Sequence, residues 1–266
     1  MARIGIFDSG VGGLTVVSAV MQRLPEQSIV YLGDTARVPY GSKSAQTVRR
    51  YADNAARFLL DRDVDLLLIA CNTASAYAID ALVETCPVPV LGAVEPGARA
   101  AVRATRTGSI GVIGTLGTIR SGAYVRAIEA RRADVRVTLN ACPLLVPLVE
   151  EGWLEGEVPR LVVRRYLDAL HAQAPELDVL VLGCTHYPLL RPLLLEVARE
   201  RWGHDVVLVD SAAAMAEETE ALLASCGLAT TAPATFTCAV TDDARIDEIG
   251  ARFLGRSLGP VERVDL

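Results

Sequence analysis

Apolar and polar positions along this chain fall into blocks, and the block lengths predict its elements. Short runs rich in leucine and β-branched residues read as strands: RIGIF at 3–7, SIVYL at 28–32, VDLLLIA at 64–70, VPVL at 88–91, SIGVI at 109–113, VRVTL at 135–139, DVLVL at 178–182 and VVLV at 206–209. They lack the every-second-residue alternation of a half-exposed sheet, so both faces are expected to be covered, as in parallel sheets. Between them lie stretches with helical spacing. Ser44 is placed to N-cap a helix carrying Val48, Tyr51, Ala55, Phe58 and Leu59 on one face. A second helix over 157–173 is expected to bury Leu161, Val162, Tyr166 and Leu170. The βαβα order predicts an α/β fold with mainly parallel sheets flanked by helices.

The pattern also repeats. IGIFDSG (4–10) has the form of IGVIGTL (110–116), a strand followed by a small-residue loop. DLLLIACNT (65–73) matches DVLVLGCTH (178–186), and a Val-Leu pair follows each, at 90–91 and 207–208. Three matches in the same order predict two related α/β units, each with a cysteine where a strand gives way to a helix.

Composition narrows the chemistry. A chain of 266 residues can bury a sizeable core without disulfide or metal staples. A formal charge of −6 argues against a general nucleic-acid-binding surface. No stretch approaches the apolar length of a membrane span, and MARIGIFDSG reaches Asp8 too early for a signal peptide, so a cytoplasmic protein with reduced thiols is expected. Twenty-five arginines stand against a single lysine, Lys43, in the polar loop PYGSKS. That makes a poor Schiff-base lysine, so a mechanism without cofactor is favoured over pyridoxal phosphate chemistry.

Six cysteines are present. For Cys86, Cys142, Cys226 and Cys238 the expected role is a small buried hydrophobe. Cys71 and Cys184 stand at the carboxyl ends of strands, where open α/β sheets place ligands, and the helix start after each is expected to lower the thiol pKa. Packed core sulfur remains an alternative for either one. Metal binding is disfavoured: Cys184-x-His186 is not a zinc spacing, His171 falls in a helix, and His204 lies beside Trp202. No Cys-x-x-Cys suggests a redox site. A covalent cysteine hydrolase would use Cys184 with His186 but would leave Cys71 unexplained. Two matched thiols suit inversion of a carbon centre, with a base on one face and an acid on the other. The glycines of GVGG (10–13) look like a dinucleotide fingerprint, but Thr15 stands where its last glycine belongs.

These residues resemble the cofactor-independent glutamate racemases, within the aspartate/glutamate racemase family. The resemblance is carried by FDSGVGGLTV (7–16), YLGDTARVPYG (31–41), CNTASA (71–76), EPGARAA (95–101), GVIGTLGTIRSGAY (111–124), CPLLVPLVEEGW (142–153), GCTHYPLL (183–190) and LVDSA (208–212). It implies Cys71 and Cys184 as proton-transfer thiols, Cys71 for D-glutamate and Cys184 for L-glutamate. Asp8 would assist Cys71, and Glu150 and His186 would assist Cys184. Implied substrate contacts are Asp8, Ser9, Tyr40, Gly41, Asn72, Thr73, Thr115, Thr118, Thr185 and His186. The expected domains are 1–95 with 209–266, carrying Cys71, and 96–208, carrying Cys184, related by a pseudo-twofold with the active site between them. The resemblance further implies a cytoplasmic role supplying D-glutamate for peptidoglycan, and it admits a homodimer. Aspartate racemase is the alternative, disfavoured because those enzymes tend to carry glutamate where His186 stands. A fold-retaining regulator acting on DNA gyrase is a second alternative; a purely regulatory role would not require the two thiols and their polar neighbours, whose intactness favours the enzyme.

Overall fold

The computed structural model describes residues 2–228 and 233–266; residues 1 and 229–232, within the expected first domain, lie outside the described residues. All eight predicted strands form: β1 Arg3–Asp8, β2 Ser28–Gly33, β3 Leu66–Ile69, β4 Val90–Gly92, β5 Ser109–Gly114, β6 Arg136–Ala141, β7 Val179–Gly183 and β8 Val207–Asp210. Two strands unanticipated from the sequence follow, β9 Phe236–Val240 and β10 Val261–Arg263. Every pairing is parallel. The chain divides into two compact units, 1–93 with 212–266 and 94–211.

The first unit holds a six-stranded sheet in the order β10-β9-β2-β1-β3-β4, and the second a four-stranded sheet, β6-β5-β7-β8. Without β9 and β10, the two orders are the same. The three sequence matches fall on β1 and β5, β3 and β7, and β4 and β8. Backbone bonds repeat as well: Asp65 N–H donates to Arg3 O at 2.8 Å, and Asp178 N–H donates to Ser109 O at 3.2 Å. The central strands β1, β3, β5 and β7 are almost wholly buried, which accounts for their unbroken apolar runs.

Asp178 ties down the turn that enters the second sheet. Its carboxylate accepts from Thr105 Oγ1 at 2.6 Å, Arg106 N–H at 2.6 Å and Thr107 N–H at 3.0 Å. Burial pushes its pKa up, but these hydrogen bonds together win and hold it below the ordinary carboxylate value. A group with a lowered folded pKa stabilises above its unfolded pKa, and that contribution is lost as pH falls through the folded one. Asp178→Asn should therefore cost about 2 kcal/mol at pH 7. The deficit should shrink below about pH 4, as urea unfolding at both pH values will show.

The helix capped by Ser44 spans Ala45–Leu60, and Ser44 Oγ accepts from Thr47 N–H at 3.2 Å. It buries Val48, Ala55 and Leu59 as expected, with Tyr51 and Phe58 half-buried at the edge of the same core. The second predicted helix runs over Glu157–His171, but its buried stripe is Pro159, Val163, Leu167 and Leu170. Leu161 is 56% exposed, and Val162 and Tyr166 are half-buried. The stripe recurs every three or four residues from Pro159, and Leu161 falls off it.

Candidate active site

In the first unit, β1 ends at Asp8 and β3 leads into Cys71 through Ala70. Asp8 is buried, and its Oδ2 accepts from Gly10 N–H at 2.9 Å. The glycines around it serve close packing. A Cβ on Gly13 would fall 2.4 Å from Asp8 Cβ, and one on Gly33 would fall 2.5 Å from Gly10 O. The glycine run is thus a tight strand-to-helix turn that lets other elements crowd against Asp8.

Cys71 N-caps the helix Asn72–Thr85, with Sγ accepting from Ala74 N–H at 3.4 Å and lying 3.6 Å from Ser9 Oγ. Asn72 and Thr73, the first two residues of that helix, are buried. The helix start does not make this thiol acidic. Burial, and then the Asp8 carboxylate, push its pKa up to about 11, outweighing the downward pull of Ala74 N–H, Ser9 and Thr73 N–H. The expectation of a lowered pKa is corrected here, because helix N–H groups cannot offset the loss of water together with a nearby negative charge. At pH 7 only about one such thiol in ten thousand is ionised. Carboxymethylation of Cys71, followed by peptide mass spectrometry, should accelerate about tenfold per pH unit from pH 7 to 10. A plateau below pH 9 would show that burial and Asp8 do not govern it.

Tyr40 is buried and packs in the same apolar cluster as Cys71. Its phenol donates to Asp34 Oδ2, and burial plus the Asp34 charge raise its pKa far above the ordinary value. Gly41 follows in the same one-turn helix, Tyr40–Ser42, with Lys43 directly after it. Asp34 escaped the sequence reading; the signal for it was an acidic residue directly after the all-buried strand β2.

In the second unit, Cys184 follows β7 and is buried with Thr185 and His186. No α-helix starts there: a bend and turn lead into the one-turn helix Tyr187–Leu190, so the expected helix start at Cys184 is corrected. Cys184 Sγ instead lies 4.0 Å from His186 Nδ1, whose Nε2 is 3.0 Å from Glu150 Oε1. With Nε2–H donating to the carboxylate, Nδ1 is left as the acceptor facing the thiol, a tautomer assigned from the network. Thr185 Oγ1 lies 3.5 Å from the same Nδ1. Thr115 caps the helix Leu116–Ser121 by accepting from Thr118 N–H at 3.3 Å, and the two threonine hydroxyls are 3.0 Å apart.

The units thus support their thiols differently. Asp34 N–H donates to Asp8 O at 3.0 Å and Cys142 N–H to Gly114 O at 2.8 Å, so Gly114 stands where Asp8 does and Cys142 where Asp34 does. The second unit supplies its carboxylate through Glu150 and His186. The remaining cysteines and histidines are structural or peripheral. Cys142 and Cys238 are buried as expected, whereas Cys86 is half-buried and Cys226 is exposed. His171 packs edge-on against Trp202, and His204 Nε2 lies 2.9 Å from Leu177 O.

Fold and thiols together define an α/β protein with a buried cysteine at each of two equivalent strand ends. The Asp/Glu/hydantoin racemase family model matches residues 14–219, and the chain belongs to that family. It is 54% identical over 266 residues to a glutamate racemase of Syntrophus aciditrophicus, covering 99% of this chain and 96% of that one. A crystal structure of a glutamate racemase from Bacillus anthracis matches with a TM-score of 0.93 and 38% identity, covering 100% of this chain and 98% of that one. A Francisella tularensis glutamate racemase in complex with D-glutamate matches with a TM-score of 0.91 and 35% identity, covering 99% and 97%.

Proposed function

We propose that this chain is an amino-acid racemase that interconverts L- and D-glutamate by moving the α-proton, with Cys71 and Cys184 as the two acid–base groups. The observation that carries this reading is the recurrence of a buried thiol at the ends of equivalent strands β3 and β7, each with its own polar support. Inversion requires base and acid on opposite faces of the α-carbon. The Cys184 thiolate takes the α-proton of L-glutamate while the Cys71 thiol supplies one to the other face; the roles exchange for D-glutamate. One proton leaves and one arrives, so the substrate changes only in configuration.

The supporting groups follow from this scheme. His186, held by Glu150, faces the Cys184 thiol with Nδ1 and is the group placed to assist its proton transfer. Burial and Asp8 keep Cys71 protonated, ready to act as acid. A substrate α-ammonium near Asp8 would offset that charge and bring the Cys71 pKa towards working pH. Ser9, Tyr40, Gly41, Asn72, Thr73, Thr115, Thr118 and Thr185 are the substrate-binding candidates. The setting is cytoplasmic, with D-glutamate supplied for peptidoglycan; among the described residues no helix is long and apolar enough to cross a membrane.

The test is to incubate dialysed protein with L-glutamate in D₂O without added cofactor. Loss of the α-proton NMR signal and appearance of the D-isomer on a chiral column are expected. Neither change with glutamate would defeat the reading, and exchange with aspartate alone would move it to aspartate racemase.

A further inference from the structure

The tail reaches the first unit's candidate substrate loop at two places: Asp242 exchanges backbone hydrogen bonds with Thr35 Oγ1, its N–H donating at 2.7 Å and its carbonyl accepting at 2.5 Å, and the Thr241 hydroxyl enters the loop's buried carboxylate. Thr241, just after β9, is buried; its Oγ1 donates to Asp34 Oδ1 at 3.0 Å and accepts from Ala36 N–H at 2.8 Å. Asp34, itself fully buried, accepts from Arg37 Nε on both oxygens, at 2.8 Å and 2.7 Å, and from the Tyr40 phenol on Oδ2. The Arg37 guanidinium lies 4.3 Å over the Tyr51 ring, whose centroid is 5.5 Å from that of Tyr40. The loop 34–41 is therefore held at both ends of one carboxylate, by Thr241 on one oxygen and Tyr40 on the other. Tyr40 in turn packs with Cys71.

The geometry points to Thr241 as a positioning residue for this substrate-binding loop. Its hydroxyl shares Oδ1 of Asp34 with Arg37 and, with the Ala36 N–H bond, fixes the carboxylate so that its other oxygen meets Tyr40, which is thereby set in the cluster with Cys71 before substrate arrives. A buried carboxylate that loses a donor turns to find another, and here the turn would carry the phenol with it. A loop that binds substrate and transition state alike acts on KM, whereas the thiols act on kcat. The inference rests on the glutamate reading and adds to it a determinant on the far side of the sequence.

Thr241→Val keeps the shape and removes the hydroxyl; Thr241→Ser keeps the hydroxyl. The valine variant is expected to raise KM for L- and D-glutamate about tenfold, with kcat within about threefold of the parent. The serine variant is expected to keep KM within about twofold. A tether serving stability alone would lower the melting temperature in proportion to lost packing and leave KM unmoved. A folded valine variant with the parent's KM, or a serine variant as impaired as the valine one, overturns the inference. Should Thr241→Val not fold, Thr241→Ala takes its place; failure of both to fold would assign the hydroxyl to stability and overturn it equally. A parent protein that does not racemise glutamate defeats the functional reading itself, whatever the variants do.

Discussion

Cys71→Ala and Cys184→Ala should each lower kcat/KM for glutamate racemisation by at least about 10³-fold, in both directions. Each substitution removes a different group, yet neither should spare one direction. L- and D-glutamate are enantiomers with equal free energies in solution, so the ratio of forward to reverse kcat/KM must stay at one for every variant. Without Cys184 there is no base for the L-isomer and no acid for the D-isomer; without Cys71 the converse holds. Serine should not rescue either site, because a hydroxyl is far too weak an acid to supply the conjugate base near neutral pH. Chiral chromatography after fixed incubation gives the rates, and Cys226→Ala, at an exposed thiol, is the control expected to stay within about twofold. More than a tenth of parental activity in either alanine variant would refute the two-thiol scheme.

His186→Asn carries the second-largest expected loss, about 10²-fold in kcat/KM. The ring is the link between Glu150 and the Cys184 thiol, at 3.0 Å and 4.0 Å respectively. Asparagine cannot take up and return a proton, so the Cys184 step becomes harder while the Cys71 step is untouched. The two directions must still lose equally in kcat/KM, but their isotope effects should part. With α-deuterated L-glutamate, Cys184 removes the deuteron, and the substrate isotope effect should grow. With D-glutamate, Cys184 returns a proton drawn from solvent, and the solvent isotope effect should grow instead. Unchanged kcat/KM and isotope effects would remove His186 from the proton path. Glu150→Gln should act in the same direction with a smaller loss, since it weakens the hold on the ring without deleting it.

Legibility of this protein in its sequence followed burial. Among the eight strands read from the sequence, β1, β2, β3, β5 and β7 are almost wholly buried and their apolar runs carry no alternating period, whereas β4, β6 and β8 are only partly buried. β9 and β10 escaped because β10 is a three-residue edge strand, VER, mostly open to solvent, and β9 begins at its exposed end. The helix Glu157–His171 was recognised but its face was misjudged, because Val158 and Leu161 place apolar side chains at the surface. Hydrophobicity reports which side chains are able to be buried, and packing decides which ones are.

The two thiols were visible because a duplicated α/β unit puts them at the same offset from matched strands. Glu150 stood out only through resemblance: inside the pair Glu150-Glu151 nothing local distinguishes it. Its carboxylate gains a role only when the chain returns 36 residues later to bring His186 within 3.0 Å. Asp34 and Thr241 are separated by 207 residues, and a single buried hydrogen bond joins them.

The positions of eight strands along the chain, the internal repeat and the identity of the paired thiols were determined by local composition and spacing, which act along the chain; the order of strands within each sheet came with the tertiary structure. The raised pKa of Cys71, its Asp8 and Ser9 neighbours, the Glu150–His186–Cys184 contacts and the hydrogen bond from Thr241 to Asp34 were decided by the tertiary structure alone. Those properties depend on how much water is excluded and on which charges come within a few ångströms, and both are set by residues distant in sequence.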